Sequence, residues 1–345
     1  MSVAIQRPAW YLYQERQKVY QMRKVITSIA LLLTVCLHVQ CQKAEIHKND
    51  GTTVEIPTDD IDSITFSMTN PFNFETRTVK LNSGYDMPII GIGTFHLSTS
   101  QAEESVYNAR KVGMRLIDTA DIYGNEVGVG RGIRRAMQDF GIEREEIFVT
   151  SKLWTSSFNN ADYEVDERLE RLGLDYIDLL LLHHTAAYDE EAYQAMERGV
   201  KAGKIRSIGL SNFYEDDIDR MMKIATIKPA VLQNETHPYH QSRSVKAHIA
   251  KLGTILEAWF PLGGRGTGIK TLSEHETITN IAQAHNKSAY QVLLRWHLQC
   301  GTIAIPGSSN AAHIAEDYDI FDFELTPDEM QRINALECNH RFASY

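Results

Sequence analysis

Short apolar runs alternate with amphipathic helical patterns from residue 77 onward, and this alternation constrains the fold more than any other feature. Eight runs are predicted to be strands, ending near Thr94, Asp118, Lys152, His183, Asn212, Gln233, Trp259 and Pro306. Helical patterns between them include residues 101–112, 126–140, 164–172, 191–202 and 215–224. Strand–helix units joined by short loops predict a parallel sheet covered by helices.

Two parallel architectures accommodate this pattern, a closed (β/α)8 TIM barrel and an open doubly wound sheet. No glycine-rich dinucleotide turn follows the first strand, which argues against the open sheet. A barrel of roughly 250 residues also fits within the 345 residues of the chain. We therefore predict an α/β protein with a barrel over residues 76–345 and a hairpin at 81–84 across the bottom of the barrel.

Composition excludes several classes of function. Hydrophobic residues make up 43% and charged residues 23% of the chain, as in an ordinary globular protein. The formal net charge of −10, without any Lys/Arg cluster, argues against nucleic-acid binding. The four cysteines imply neither a disulfide framework nor a zinc site, so no metal is predicted.

Four protic side chains lie at, or just after, the predicted ends of three consecutive strands. Asp118 ends one apolar run, and Tyr123 lies in the turn that follows it. Lys152 and His183 end the next two runs. Because barrel enzymes keep their active sites at the carboxyl ends of the strands, these four side chains form a candidate active site.

Eight motifs, in this order, resemble those of the aldo-keto reductases. They are Leu81-Asn-Ser-Gly84 with Gly91-Ile-Gly-Thr-Phe95, Asp118 to Glu126, Ser151-Lys-Leu-Trp154, Tyr176 to His183, Ile208 to Phe213, Gln233 to Pro238, Phe260 to Gly263 and Ile305 to Ser308. The resemblance runs from about residue 79 to residue 341. It is closest to bacterial, diketo-gluconate reductase-like members, which reduce small aldehydes and diketo sugar acids.

The resemblance implies NADPH- or NADH-dependent reduction of an aldehyde or ketone to an alcohol, with Asp118, Tyr123, Lys152 and His183 as the catalytic residues. A free phenol has a pKa of about 10, and a neighbouring ammonium lowers it. We therefore expect Tyr123 to be the general acid and Lys152 to tune it. Asp118 pairs with Lys152, and His183 orients the carbonyl oxygen.

The resemblance also assigns the cofactor contacts. These are Gly93, Thr94, Ser211, Asn212, Gln233, Trp259, Phe260, Leu262, Gly263, Gly307, Ser308, Ser309, His313, Glu316 and Asp317. Ser211, Asn212 and Gln233 are expected to hold the nicotinamide carboxamide. Trp259 stands where the family usually has a stacking tyrosine, and Phe260 stands where a serine is more usual.

The most informative departure from the family follows the eighth strand. NADPH-preferring members have a lysine after Ile-Pro and an arginine six residues later, which clamp the adenosine 2′-phosphate. Here these positions are Gly307 and His313. Since histidine is at best a weak, pH-dependent cation, we expect a weakened preference for NADPH. The hydroxyls of Ser308 and Ser309 and the amide of Asn310 leave the alternative open that the phosphate is still bound.

The substrate loops are short, so we expect an open pocket lined by Phe95, Trp154 and His184. A small carbonyl compound is the expected partner, and the chain is expected to be a monomer. One alternative is a non-catalytic nicotinamide-binding module that senses redox state in an envelope complex. Another is a glycan hydrolase, which would need two facing carboxylates, whereas the strand ends offer only Asp118.

The amino terminus indicates export. A basic stretch, Met22-Arg-Lys24, precedes an apolar run over 25–35, as in a secretory leader. We expect residues 1–43 to be this leader, with Cys41 as a candidate lipid anchor, and a location in the cell envelope. A cytoplasmic enzyme with an amino-terminal helix is the alternative. Residues 44–75 are expected to form a small β extension and linker, with strands at 45–47, 52–56 and 62–66.

Overall fold

The computed structural model describes residues 43–47, 53–57, 70–264 and 271–343. The chain divides into two compact units, Met1–Thr69 and Asn70–Tyr345. Residues 70–75, which we assigned to the linker, therefore belong to the same unit as the barrel. Within the described ranges, no helix is both long enough and apolar enough to span a membrane.

The first unit contains a β-hairpin, as the sequence predicts. Strands β1 (Lys43–His47) and β2 (Thr53–Pro57) pair antiparallel, with Lys43 opposite Pro57. The predicted third strand at 62–66, the leader and Cys41 lie outside the described residues.

The second unit is built around an eight-stranded parallel sheet. Its strands are β5 (Gly91–Gly93), β6 (Leu116–Asp118), β7 (Phe148–Leu153), β8 (Ile177–Leu182), β9 (Ile205–Ser211), β10 (Val231–Glu235), β11 (Ile255–Trp259) and β12 (Ile303–Ala304). Each strand pairs with the next along the chain. Parallel bridges Ile90–Ala304 and Gly93–Gly307 join the last strand to the first. The fold is therefore the predicted (β/α)8 TIM barrel.

Helices connect the strands and cover the barrel. They are α1 (Thr99–Lys111), α2 (Glu126–Phe140), α3 (Ala161–Leu172), α4 (Asp189–Lys201), α5 (Glu215–Met221), α6 (Arg243–Ala250), α7 (Glu276–His285), α8 (Ala289–Gln299), α9 (Ala311–Tyr318) and α10 (Pro327–Asn334). Capping boxes at Ser98, Ser288 and Thr326 begin three of them. All six positions of β7 and of β8 are buried, because the barrel interior lies on one face and the helices on the other.

A second hairpin closes the bottom of the barrel. Strands β3 (Thr78–Lys80) and β4 (Asp86–Pro88) pair antiparallel around the predicted turn. The hydroxyl oxygens of Ser83 and Ser207 are 2.8 Å apart, and Asn82 donates to the carbonyl of Pro229. Since Ser207 and Pro229 lie near the amino ends of their strands, the carboxyl ends remain open for a site.

Candidate active site

Asp118, Lys152 and Tyr123 form a connected group at the carboxyl ends of β6 and β7. The Nζ atom of Lys152 lies 2.6 Å from Oδ1 of Asp118, 2.9 Å from the carbonyl of Thr119 and 3.2 Å from the Tyr123 hydroxyl. Asp118 is the last residue of β6, and Tyr123 ends a 3-10 turn, Asp121–Tyr123, that follows it. The structure therefore brings these three predicted side chains together.

The side chain of Lys152 has no exposed surface. Burial alone would lower the pKa of this ammonium, but the negative charge of Asp118 and the contact with Tyr123 raise it above the usual range. Lys152 therefore stays positively charged inside the barrel. A fixed ammonium beside the phenol oxygen stabilises the negative charge that Tyr123 acquires when it gives up its proton.

His183 directly follows β8 and lies next to Tyr123, with ring centroids 5.8 Å apart. It is packed edge-on against Trp154 and stacked on His184. Burial, with the nearby charge of Lys152, lowers the pKa of His183 to about 2. The imidazole is therefore neutral at physiological pH, and it can offer a hydrogen bond without acting as a proton source.

A cavity of about 400 Å³ opens above these residues. Its lining contains most of the predicted site, including all three residues expected to contact substrate. The lining residues are Gly93, Phe95, His96, Asp118, Ile122, Tyr123, Trp154, His183, His184, Ser211, Asn212, Gln233, Trp259, Phe260, Pro261, Leu262, Gly263, Ile305, Pro306 and Gly307. Phe95 is 41% exposed, so an apolar ring is available at this surface.

Asn212 is held in place by several hydrogen bonds on one side of the cavity. Its backbone is left-handed, with φ of 59°, and its Nδ2 atom donates to the carbonyl of His183. Trp259 donates from Nε1 to the Asn212 side-chain oxygen at 3.1 Å. The indole that we expected to stack on a nicotinamide ring thus also fixes an amide at the same site.

The backbone turns sharply after β11, where Phe260 has a φ of 54°. A bulky side chain is strained in this region of φ/ψ space, and such strain is typical of functional sites. The turn places the Phe260 ring edge-on to Trp259, with centroids 5.3 Å apart. Leu262 and Gly263 follow on the cavity wall.

Six of the predicted cofactor residues do not line this cavity. They are Thr94, Ser308, Ser309, His313, Glu316 and Asp317. The Thr94 hydroxyl instead donates to the carbonyl of Asp118. His313 is exposed on α9, whereas Asp317 on the same helix is buried. Burial and the charge of Glu316 raise the pKa of Asp317 to about 7.

Close to the catalytic residues, sequence reasoning missed the buried carboxyl group of Glu257. This side chain has no exposed surface and lies 2.7 Å from Nε2 of Gln233, which also donates to Asp118. The sequence did contain a sign of this buried group, because a glutamate interrupts the otherwise apolar strand at residues 255–259. Glu257 does not line the cavity, so it does not provide the second substrate-facing carboxylate of a glycan hydrolase.

Comparison with known proteins identifies the class to which this barrel and its site belong. The model of the aldo/keto reductase family matches residues 89–337. The chain belongs to this family, as the motifs predicted. It is therefore an NAD(P)-dependent oxidoreductase that reduces carbonyl compounds, with NADPH or NADH as cofactor.

Several relatives resemble the chain over most of their length. An NAD(P)H-dependent D-xylose reductase of Candida tropicalis is 39% identical over 303 residues, covering 77% of this chain and 94% of the relative. A glyoxal reductase of Bacillus subtilis is 43% identical over 268 residues, covering 76% and 94%. The crystal structure of a Bombyx mori aldo-keto reductase in complex with NADP has a TM-score of 0.73 and 36% identity, covering 77% and 94%.

Proposed function

We propose that Tyr123 is the proton donor in carbonyl reduction. The observation that carries this proposal is the 3.2 Å contact between the Tyr123 hydroxyl and Lys152 Nζ, with the phenol facing the cavity. Lys152 stabilises the phenolate that remains after proton transfer to the substrate oxygen. In the reverse direction the same phenolate accepts the proton of the alcohol.

His183 acts as the group that orients the substrate oxygen. Because its pKa is lowered to about 2, the imidazole carries no additional proton near neutral pH, which leaves Tyr123 as the acid. A neutral imidazole carries one N–H, which can donate a hydrogen bond to the carbonyl oxygen. This bond polarises the carbonyl and holds its oxygen near the Tyr123 hydroxyl.

The chain's own residues fit a nicotinamide in this cavity. Ser211, Asn212 and Gln233 provide polar groups on one wall, and Trp259 provides an aromatic group beside them. The NAD(P)H cofactor supplies the hydride when it is bound. We assign the carboxamide to the three polar side chains, and the backbone around Phe260, Leu262 and Gly263 to the pyrophosphate side.

We propose small aldehydes, dicarbonyls and diketo sugar acids as substrates. Phe95, Ile122 and Trp154 offer apolar surface at the cavity, which suits the carbon skeleton of a small carbonyl compound. The related glyoxal and D-xylose reductases make glyoxal and D-xylose the first compounds to assay, followed by a diketo-gluconate. A panel in which none of these compounds oxidises NADPH or NADH would contradict this assignment.

Tyr123→Phe tests the proposed mechanism. The variant keeps the ring but loses the acidic proton, so we expect kcat to fall at least about 10²-fold. The Kd of NADPH or NADH should change little, because the phenol donates its proton to the substrate. Tyr163→Phe, which alters an exposed tyrosine on α3, is the matched control. Near-normal turnover by Tyr123→Phe would overturn the mechanism.

We further propose that the chain is exported, lipidated at Cys41 and monomeric. The basic and apolar pattern of residues 22–35 supports export. Mass spectrometry of the native amino terminus tests cleavage and lipidation together, and an intact terminus at Met1 or Met22 would contradict both. Light scattering of the purified protein tests the oligomeric state.

A further inference from the structure

The side-chain amide of Gln233 lies between two buried carboxyl groups. Its Nε2 atom is 2.8 Å from Oδ2 of Asp118 and 2.7 Å from Oε2 of Glu257. All three side chains are almost completely buried. Gln233 and Glu257 are also direct partners in the parallel register of β10 and β11, so their relative position is set by the sheet.

This arrangement determines which end of the amide faces the cavity. An amide nitrogen has two protons, and here each carboxyl group accepts one of them. In the flipped orientation the amide oxygen would lie against the negatively charged carboxylate of Asp118, which is repulsive. Among the described residues, Oε1 of Gln233 accepts no hydrogen bond, and Gln233 lines the cavity. The carbonyl oxygen is therefore the free end, available to a donor on a ligand.

Asp118 alone would not fix the amide completely. One hydrogen bond to Nε2 sets a direction but leaves the amide plane free to rotate about that bond. The second bond, to Glu257, sets the plane. Asp118 cannot follow a rotating amide, because its other oxygen is bound to Lys152 at 2.6 Å.

We propose that Glu257 is a positioning residue that aims the Gln233 carbonyl oxygen at the N–H of the nicotinamide carboxamide. As a consequence, the protein should bind a dinucleotide whose pyridine ring carries a carboxamide more tightly than one whose ring substituent has a carbonyl but no N–H. This inference rests on the proposed function, in which Gln233 contacts the nicotinamide. It extends that function by giving a role to a residue that touches neither cofactor nor substrate.

The charge state of Glu257 is consistent with this role. Burial and the neighbouring Asp118 carboxylate raise the pKa of Glu257 to about 8. The group is therefore mostly neutral at pH 7, which avoids two adjacent negative charges. A neutral carboxyl group still accepts a hydrogen bond through its carbonyl oxygen. Glutamine reproduces that acceptor, whereas methionine keeps a similar volume and removes it.

The experiment compares the binding of two dinucleotides by isothermal titration calorimetry. NAD⁺ carries the carboxamide, and its 3-acetylpyridine analogue replaces the amide nitrogen with a methyl group; the 2′-phosphorylated pair is measured in the same way. Wild type is expected to bind the carboxamide form on the order of tenfold more tightly, the worth of one hydrogen bond. Glu257→Gln should keep this ratio, and Glu257→Met should reduce it to about threefold or less.

Gln233→Met is the reference for complete loss of the contact. It should also remove most of the difference in affinity between the carboxamide dinucleotide and its acetyl analogue. Adding Glu257→Met to Gln233→Met should then change the ratio no further, because the two residues act through one hydrogen bond. Thermal melts of all variants exclude unfolding as the cause. A ratio in Glu257→Met equal to that of wild type, with both dinucleotides bound, overturns the positioning role alone. Failure of wild type to bind either dinucleotide overturns the proposed function itself.

Discussion

A lysine without exposed surface destabilises a protein unless its charge is paired, and Lys152 meets this condition through Asp118 and the carbonyl of Thr119. The sequence predicted the pairing with Asp118, because both residues end neighbouring strands. It could not predict the bond to Thr119, since main-chain acceptors carry no signal in the residue type. Nor did it predict the hydrogen bond from Trp259 to the Asn212 side chain, because the two residues are 47 positions apart and follow different strands.

Gly307 and His313 give a prediction about cofactor choice. Neither supplies the permanent cation expected beside a 2′-phosphate, so NADH should be used comparably to NADPH or better. Gly307→Lys with His313→Arg should raise the kcat/KM ratio of NADPH to NADH by about 10- to 100-fold per restored contact.

Gly307→Ala with His313→Arg is the matched control for that substitution. A Cβ atom at position 307 would lie 3.2 Å from the carbonyl oxygen of Gly93, so crowding alone can alter binding. The alanine variant has the same Cβ without the charge. A strong preference of the wild type for NADPH would show that Ser308, Ser309 and Asn310 suffice for the phosphate.

Glu257 gives a prediction about pH and stability. Its pKa of about 8 in the folded protein lies above the value of about 4.3 in an unfolded chain. Between these values the folded state holds a proton that the unfolded state has released, so rising pH removes stability. Glutamine does not titrate. The free energy of unfolding of Glu257→Gln, relative to wild type, should therefore rise by at least about 1 kcal/mol from pH 5 to pH 8. Urea titrations at matched pH values measure it, and a flat or falling difference would contradict the prediction.

At the scale of elements, the turn that carries Tyr123 is anchored by a buried arginine from another element. Asp121 begins this turn, and its Oδ2 atom accepts from the backbone N–H of Trp154 and from Arg168 of α3. Arg168 also pairs with Glu126, the first residue of α2, at 3.0 Å, and with Glu164 in its own helix. The side chain of Arg168 is only 1% exposed. One guanidinium thus ties two helices to the catalytic turn.

Arg168→Met should therefore destabilise the protein by about 3–5 kcal/mol, because it leaves the buried carboxylate of Asp121 without its counter-charge and leaves Glu126 with only the more distant Arg171, at 3.9 Å. We also expect a lower kcat in the folded fraction, since Asp121 no longer fixes the turn of Tyr123. Arg171→Met is the control from the same helix; its side chain is 43% exposed, and its loss should cost about 1 kcal/mol or less. Denaturant titration and steady-state kinetics of both variants check this, and equal effects on stability would contradict it.

Elements were predicted better than the contacts between them. The ends of β6, β7 and β8 follow from apolar runs that stop at a polar residue, and burial on both faces produces such runs. Arg168 was not predicted, because an arginine in an amphipathic helix usually points to solvent. The burial of Arg168 depends on its ion pairs with Asp121 and Glu126. More than one element lies between these residues and Arg168 in the sequence.

At the scale of the whole molecule, the barrel unit begins at Asn70. The Asn70 side chain donates to the carbonyl oxygens of Leu298 and Gln299 at the end of α8, and Phe72 is buried in the core. These contacts were not predicted, because Pro71 and two asparagines give this stretch the composition of a linker.

Two truncations test this boundary. Deletion of residues 1–69 should leave an active barrel, because the residues of the candidate site all lie in the second unit. Deletion of residues 1–75 should also leave the site intact but should lower Tm by about 4–8 °C relative to the shorter deletion, because it removes the buried Phe72 ring. Scanning calorimetry and carbonyl reduction by both proteins measure this. Equal melting temperatures would place residues 70–75 outside the stabilising core.

The bridge between Gly93 and Gly307 joins the first strand of the barrel to the segment after its last strand, and both glycines line the cavity. A ribosome delivers these two segments at the beginning and near the end of the barrel's synthesis, since chains emerge amino terminus first. The cavity therefore lacks one wall until the segment that contains Gly307 has been synthesised. A chain that stops before this segment has no complete site, so we expect it to contribute no reductase activity.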